Sequence, residues 1–293
     1  MAAFEQYKQY VLEEYSNLPR GRYVSLFIIR KTESETIFRT EGSGEELVKE
    51  TVTAGLVDTT PIRRVVISKR KQTAVERRKG REFLHDHGLL KNNKDGKICM
   101  LNTNAPCEKC IDCYLYGFAA GGNGAQKSRV FTDDAYSLGT VAQVAARRTF
   151  NATFDNGTMR NPETGEASRS INKDEYVRPQ THFLDIETLK DVTLIELQYV
   201  IGNIIRSLEL TQTVHDLLKP VGKEELPFPL PDDAVERAVL GAIDKLIVGV
   251  FSRKPVILTS EALKAELDGV AALYYDQENM LKALRALSDS YDK

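Results

Sequence analysis

The amino-acid sequence predicts an α+β fold built around an antiparallel sheet, because β-rich runs and an amphipathic helix flank a hairpin pattern. The runs Tyr23–Ile29 and Ile62–Ser68 are rich in Val, Ile and other residues that favour strands. The stretch Asn151–Arg178 is polar and carries Asn-Pro-Glu-Thr-Gly near its middle, which predicts a long projecting β-hairpin. From Leu194 to Leu208, apolar residues recur at helical spacing.

The other elements of this part of the chain follow from the same kinds of pattern. In chain order they are an amphipathic helix at residues 3–16, a loop at Glu41–Gly44, a helix at Gln72–Leu84, a strand at Thr181–Ile186 that enters the core, and a capping box at Thr193 and Glu196 that starts the last helix.

The C-terminal quarter of the chain has a different composition. Four prolines within Lys219–Asp233 predict an irregular, extended connection, and helices are expected to start near Asp233 and Ser260. We therefore divide the chain into residues 1–218, which form the main domain, and residues 219–293, which pack on its core as an appendage.

Composition indicates an ordinary globular protein. The 293 residues carry a net charge of −2, and 42% of them are hydrophobic. No apolar run approaches the roughly 20 residues needed to cross a bilayer. The N-terminal stretch Met1–Tyr15 is polar, contains glutamates and does not resemble a signal peptide. We therefore expect a soluble protein in the reducing cytoplasm.

The four cysteines of the chain are concentrated in one short segment. They are Cys99, Cys107, Cys110 and Cys113, and the last three form a C-x2-C-x2-C run. Thiolates at such spacing converge readily on Zn²⁺, and four of them leave no open coordination position. The segment therefore predicts a structural zinc site.

Two alternatives to a four-cysteine site remain open. His85 or His87 lies shortly upstream and could replace Cys99, which would give a Cys3His site. Buried or disulfide-bonded cysteines are the other interpretation, but a reducing compartment disfavours disulfides.

A dense basic segment lies between Arg63 and Glu82. Its only acidic residues are Glu76 and Glu82, and its nine basic residues are Arg63, Arg64, Lys69, Arg70, Lys71, Arg77, Arg78, Lys79 and Arg81. Charge runs are usually solvated faces, but such faces normally interleave acids with bases. The segment therefore favours a localised site for a polyanion, nucleic acid in particular.

Three other features carry little weight by themselves. The glycine loop Gly121–Gly124 matches no nucleotide-binding fingerprint. Asp133 and Asp134 could bind Mg²⁺, but two-metal chemistry needs more convergent acids, so a turn or helix cap is the better interpretation. His182 and His215 are isolated and indicate no catalytic constellation.

The residues from Cys107 to Ala135 form a longer pattern: a cysteine-rich turn, Tyr-Leu-Tyr-Gly-Phe, the glycine loop, and Ser-Arg-Val-Phe-Thr-Asp-Asp-Ala. This pattern resembles the RAMP-superfamily backbone subunits of CRISPR effector complexes. Over residues 20–215 the chain looks most like the backbone subunit of type I-D Cascade, of the Cas-seven group.

The resemblance implies an RRM/ferredoxin-like antiparallel-sheet palm with a β-hairpin thumb at about 151–178, a basic and zinc-stapled insertion at about 62–128, and helical insertions. Such subunits assemble along a CRISPR guide RNA, and each thumb kinks the guide. The implied function is a non-catalytic RNA-binding backbone subunit. Its partners would be the guide RNA, target DNA or RNA, other copies of itself, and other Cascade subunits, including a large nuclease-bearing one.

The resemblance also implies which residues contact RNA. In and near the basic segment and the glycine loop they are Lys69, Arg70, Lys71, Gln72, Arg77, Arg78, Gly121, Gly122, Lys127 and Arg129. In or beside the hairpin, by position in the chain rather than by motif, they are Arg147, Arg148, Arg160 and Arg169, with Phe154 or Met159 as wedges between bases.

One departure from related subunits bears on chemistry. Type III relatives cleave target RNA with an aspartate in the loop after the first strand, whereas Lys31–Thr36 here contains none. We therefore expect no enzymatic activity. The alternatives are a metal-dependent CRISPR RNA-processing ribonuclease acting through His85 or His87, and a zinc-stabilised protein-interaction module without an RNA role.

Overall fold

The computed structural model describes residues 8–38, 47–54, 58–103, 105–120, 124–151, 153–167, 171–215 and 277–291. Several predictions lie outside these ranges: the loop at Glu41–Gly44, Gly121, Gly122, Arg169, the Pro-rich connection, and the helices expected from Asp233 and Ser260.

The described strands are β1 (Tyr23–Lys31), β2 (Lys49–Thr53), β3 (Pro61–Ile67), β4 (Phe118–Ala119), β5 (Ala125–Gln126), β6 (Val130–Thr132), β7 (Ala135–Ser137), β8 (Ala145–Asn151), β9 (Ile171–Val177) and β10 (His182–Lys190). The described α-helices are α1 (Lys69–Asp86), α2 (Ile111–Tyr116), α3 (Val141–Val144), α4 (Leu194–His215) and α5 (Gln277–Ser290).

An antiparallel sheet organises the molecule, with the strand order β1-β10-β7-β3-β2 and with β6 beside β7 on the same side of β10. The long strands β1 and β10 pair over their full length, from Tyr23 opposite Lys190 to Lys31 opposite His182. Together with the helices, this sheet confirms the predicted α+β class with antiparallel pairing.

Helices α1 and α4 cover one face of the sheet and enclose the largest core. Leu84 from α1, Tyr199 from α4 and Leu189 from β10 are fully buried in it. Burying each such side chain contributes about 1.5–3 kcal/mol. Leu284 of α5 belongs to the same cluster, so the last described helix packs on this core. The boundary between residues 1–218 and 219–293 stays a prediction.

Local sequence signals account well for the ends of several elements. The capping box at the start of α4 is confirmed, since Thr193 donates its N–H to Glu196 Oε2 (2.8 Å) and Glu196 donates its N–H to Thr193 Oγ1 (3.3 Å). The predicted strands at Tyr23–Ile29, Ile62–Ser68 and Thr181–Ile186 are confirmed as β1, β3 and β10.

The helix predicted at 3–16 is wrong over the described residues, where only Lys8–Tyr10 form a 3₁₀ turn. Leu12 instead donates its N–H to the carbonyl of Val192 (2.9 Å). Val11 and Leu12 are buried, so packing beside the end of β10 overrides the helical pattern of this segment.

The hairpin predicted at Asn151–Arg178 differs in its first arm. Strands β8 and β9 pair antiparallel as a separate two-stranded sheet, and the first arm starts at Ala145 rather than Asn151. Arg147 and Arg148 therefore lie on a strand of the hairpin.

Among the described residues, no helix has the length and apolar content needed to span a bilayer.

Candidate metal centre and nucleic-acid interface

The four cysteines meet in one buried cluster at the start of α2. Cys107 and Cys110 lie in the turn before this helix, Cys113 lies in its first turn, and Cys99 arrives from the preceding loop. The Sγ atom of Cys113 lies 3.7 Å from the Sγ atom of Cys99 and 3.8 Å from that of Cys107. The Sγ atoms of Cys99 and Cys110 lie 4.0 Å apart. All four thiols are free.

These separations fit a tetrahedral metal ion. A tetrahedron with Zn–S bonds of about 2.3 Å has sulfur–sulfur edges of about 3.8 Å. The four ligand atoms all lie within 4.8 Å of one another. The cysteine cluster could therefore hold a metal ion, as the spacing predicted.

Backbone amides donate hydrogen bonds to the sulfur atoms of Cys99 and Cys107. Cys107 donates its N–H to Cys99 Sγ (3.4 Å), and Cys110 donates its N–H to Cys107 Sγ (3.3 Å). Hydrogen bonds from the neighbouring thiols, Cys107 first, lower the pKa of Cys99. In the turn between Cys107 and Cys110, Glu108 has a left-handed backbone conformation, with φ 63°.

Two arginines of α1 and one buried aspartate of α2 surround the cluster. Arg81 donates to Cys99 Sγ (3.7 Å) and to Asp112 Oδ2 (2.6 Å), and Arg77 forks onto both oxygens of Asp112 (2.9 Å each). Asp112 is fully buried. Burial alone would lower the pKa of Arg81, but Asp112 outweighs it and raises that pKa. Sequence reasoning missed Asp112, although an acid between two cysteines was the available signal.

Neither histidine approaches the cysteines as a ligand. His85 is exposed and faces Asp86 at 3.4 Å. The Nδ1 atom of His87 lies 2.9 Å from the carbonyl of Phe83, and its ring packs 4.5 Å from the Phe83 ring centre. The structure thus places Cys99, rather than either histidine, with the other three cysteines.

The basic segment divides into two groups. Arg64, Arg77 and Arg81 are bound within the protein, and Lys79 pairs with Glu82 at 2.6 Å. The other five basic side chains have no hydrogen-bond or ion-pair partner among the described residues, and they are Arg63, Lys69, Arg70, Lys71 and Arg78. All of these are exposed except Lys71, which is half-buried.

Three of these unpaired cations form the first turn of α1, which follows the N-cap residue Ser68. No acidic residue lies in that turn. Asp134 accepts the N–H of Lys69 at 2.7 Å and so acts as a cap. Gln72, which was grouped with the three cations, turns inward and donates to the carbonyl of Ile67 at 3.3 Å.

Arg129 has several partners inside the protein. Its guanidinium donates to the carbonyl of Tyr114 at 3.0 Å, to the carbonyl of Asp191 at 2.8 Å, and to the carboxylate of Glu196. Burial by itself would lower the pKa of Arg129, but Glu196 outweighs it and raises that pKa. Lys127, two residues earlier, is exposed.

The hairpin places its described arginines on the surface. Arg147 pairs with Glu175 at 3.0 Å, and Arg148 pairs with Glu35 while lying 5.4 Å from the ring centre of Tyr176. Arg160 donates to the carbonyl of Gly165 at 3.0 Å. The two predicted wedges, Phe154 and Met159, are half-buried near the hairpin tip.

Comparison with known proteins identifies a family of CRISPR proteins. A family model described as Csc2 Crispr matches residues 10–208. Among solved structures, Csc2 of Thermofilum pendens is 16% identical with a TM-score of 0.45, covering 68% of this chain and 65% of its own. No curated protein matches the chain.

Two further structures come from complexes. A chain of a "CRISPR RNA-guided surveillance complex" is 11% identical with a TM-score of 0.48, covering 78% of this chain and 85% of its own. A chain of a pre-nicking form of such a complex is 12% identical with a TM-score of 0.38, covering 69% and 73%. This chain spans 65% of the length of the Thermofilum pendens protein.

The match of the family model over more than half of the sequence shows that this chain belongs to the Csc2 family of CRISPR proteins. The resemblance to CRISPR effector backbone subunits is thereby confirmed. The assignment to subtype I-D stays a prediction.

Proposed function

We propose that this chain is a non-catalytic subunit that binds CRISPR guide RNA, oligomerises along it in a type I-D Cascade complex, and presents it for pairing with target DNA or RNA. The observation that carries the proposal is the first turn of α1. There Lys69 and Arg70 are exposed and Lys71 is half-buried, and none of the three side chains has an acidic partner among the described residues.

The electrostatics of this turn favour a bound anion. The N-terminus of an α-helix carries partial positive charge, so acidic side chains stabilise it and basic ones oppose it. Three cations in the first turn of an 18-residue helix are therefore unfavourable, and the single carboxylate of Asp134, which caps the N–H of Lys69, cannot balance all three charges. A phosphate of the guide would neutralise the remaining charge of these side chains.

A second contact would come from the hairpin. We propose that β8, β9 and the residues between them form a thumb, in which Phe154 or Met159 separates bases and Arg147, Arg148 and Arg160 lie along the backbone. Contacts of this kind bind RNA through phosphate charge and stacking, so they are tolerant of sequence. Target sequence would then be read by base pairing alone.

The same proposal assigns roles to the rest of the fold. The sheet with α4 would be the RRM-like palm, and residues of about 62–128, which include α1, would form an insertion stapled by Zn²⁺ bound to the four cysteines. Within this insertion, Arg77 and Arg81 fasten α1 to α2 through Asp112, which supports a structural role for the metal. Arg129 and Gln72 would then support the fold rather than contact RNA.

The described residues do not favour the alternative of a metal-dependent ribonuclease. His85 has Asp86 as its partner at the surface, and His87 is packed against Phe83. Only the four cysteines bring three or more potential metal ligands within 4.8 Å of one another among the described residues. We propose that cleavage belongs to a separate nuclease-bearing subunit of a cytoplasmic complex.

One experiment tests RNA binding and assembly together. The full chain is produced with a CRISPR RNA and purified, and the nucleic acid is extracted and sized. We expect RNA of discrete length and a multimer whose size grows with the length of the guide. Purification as an RNA-free monomer that does not assemble when guide RNA is added would contradict the proposal.

A salt titration with a matched control locates the contact. The triple variant Lys69→Glu, Arg70→Glu, Lys71→Glu should weaken RNA binding and flatten the dependence of log affinity on log salt by about 0.7 for each lost phosphate contact. Lys97→Glu, a charge reversal at another exposed lysine, should leave the slope unchanged. Equal slopes for the triple variant and the unaltered chain would exclude this turn as the phosphate site.

A further inference from the structure

Two buried carboxyl groups bind a single arginine between α1 and the sheet, and a third buried carboxyl group belongs to the same cluster. Arg30 of β1 donates to Glu76 of α1 at 2.9 Å and to Asp185 of β10 at 2.9 and 2.8 Å. Glu187 lies two residues further along β10, on the same face of the strand. Glu76 is 1% exposed, and Asp185 and Glu187 are 0% exposed. One cation cannot neutralise three buried carboxylates.

Three carboxyl oxygens in this cluster, one on each acidic side chain, have no hydrogen-bond donor. Glu76 uses Oε1 for Arg30, and Glu187 uses Oε2 to accept from Thr132 Oγ1 at 3.4 Å. The remaining atoms, Glu76 Oε2 and Glu187 Oε1, are buried without a donor, as is Asp185 Oδ1, whose partner oxygen Oδ2 accepts from Arg30. Two ionised carboxylates have no hydrogen to share, and an unsatisfied buried acceptor is costly.

We propose that Glu187 is protonated in the folded protein at neutral pH and donates this proton to Glu76, so that an acid–carboxylate pair fastens α1 to the centre of the sheet. A single proton then provides the missing hydrogen bond between the two side chains. It also reduces the cluster to two carboxylates around Arg30. The proposal concerns the fold and does not depend on RNA binding.

The surroundings of the pair favour the protonated form. Burial, followed by the charge of Glu76, raises the pKa of Glu187 to about 9, and burial also raises the pKa of Glu76 and of Asp185. The polar and titratable groups that act on the pair are Arg30 (β1), Asp185 (β10), Thr132 (β6) and Tyr116 (α2). Behind them, Asp133 (between β6 and β7) acts on Asp185, and Tyr199 and Asn203 (α4) act on Tyr116.

A shared proton fits this cluster better than a metal ion. Among the described residues, only the cysteines gather three potential ligand atoms within 4.8 Å of one another. The oxygens of Glu76, Asp185 and Glu187 do not converge in this way. Since a bound cation would need them to approach from all sides, the geometry favours a bridge between two carboxyl groups.

The proton links stability to pH with a definite sign. Between the ordinary glutamate pKa of 4.5 and about 9, the folded chain binds one proton more than the unfolded chain. Stability therefore falls as pH rises through this window, and the unfolding constant should gain about tenfold per pH unit from this group. Glu187→Gln, which is neutral at every pH and can still donate to Glu76, should remove this contribution.

Infrared spectroscopy of the full chain in D₂O near pH 7 detects the proton directly. We expect a carbonyl stretch of a protonated carboxylic acid that is lost in Glu187→Gln and kept in Glu82→Gln, a control on the exposed side of the same helix. Denaturant unfolding at about pH 6 and 8 should show a flatter pH dependence only in Glu187→Gln. No acid band in the unaltered chain would overturn the proposal.

A variant that fails to fold does not remove the test. The unaltered chain alone should keep its acid band through neutral pH and lose it on titration through pH about 9. If the acid band disappears before the rising pH reaches 6, as it does for exposed glutamates, the result would contradict the shared proton. An unchanged pH slope in a folded Glu187→Gln would contradict it as well.

Discussion

The first turn of α1 and the middle of the same helix both carry basic side chains, but those in the first turn lack acidic partners among the described residues and those in the middle are paired inside the protein. At the helix start, the side chains of Lys69, Arg70 and Lys71 have no acidic partner among the described residues. Two turns later, Arg77 and Arg81 point inward and share the buried carboxylate of Asp112 beside the cysteine cluster. A single run of basic residues in the sequence therefore forms two different sites in the structure. One is a candidate RNA contact, and the other joins α1 to α2 inside the protein.

Removal of the metal should produce the largest effect, because it takes away the centre that the inward arginines surround. Cys113→Ser should reduce the metal content from about one zinc per chain to near zero. It should also lower the free energy of unfolding by several kcal/mol, below the roughly 10–16 kcal/mol that zinc contributes in zinc-finger peptides. Elemental analysis and urea unfolding measure both quantities, and zinc added back to chelated, unaltered protein is the control.

The metal prediction has a clear counter-result. Unaltered protein that was never exposed to a chelator should contain metal in proportion to the chain. A metal content near zero in that sample, with normal stability, would mean that the four thiols are only a buried core.

The next effect concerns Asp112, which holds both inward arginines. Asp112→Asn should lower the free energy of unfolding by about 3–5 kcal/mol, because two largely buried guanidinium groups lose their counter-charge. Urea unfolding measures the loss. Asp86→Asn, at an exposed position of α1, is the matched control and should change stability by less than about 0.5 kcal/mol. Equal behaviour of the two variants would refute the fastening role.

A pair of single substitutions separates the two groups of basic residues on α1. Arg70→Ala should weaken RNA binding by about 1–2 kcal/mol, roughly 5- to 30-fold, with little loss of stability. Arg77→Lys should do the reverse, because lysine cannot fork onto Asp112, and should cost about 1–2 kcal/mol of stability with an unchanged salt slope. Filter binding and urea unfolding of both variants give the comparison, and similar profiles for the two would break it.

The smallest effect is expected on the exposed side of α1, where Lys79 pairs with Glu82. Lys79→Ala should change the free energy of unfolding by at most about 0.5 kcal/mol, because exposed pairs three residues apart gain little in water. A loss above 1 kcal/mol in urea unfolding would show that the outer side of this helix also matters for the fold.

Most of the secondary structure was predictable because its signals are local. Strands β1, β3 and β10, helix α4 and its capping box follow from periodicity and from residues three positions apart. The helix prediction at 3–16 was wrong over the described residues because a bridge from Leu12 to Thr193 competes with the helix. A partner about 180 residues away cannot be recognised from the local sequence pattern. The first arm of the hairpin starts earlier than its polar composition indicated, since Ala145 and Ala146 also pair.

The sequence by itself determined the family, the antiparallel α+β class and the clustering of the four cysteines, because these depend on short motifs and spacings. Only the tertiary structure decided which basic side chains remain unpaired, that Asp112 joins Arg77 and Arg81, and that Arg30 joins the buried carboxyl groups of Glu76 and Asp185. The physical reason is burial. Whether a charged group is solvated, paired or protonated depends on neighbours brought together by packing, and those neighbours lie far apart in the chain.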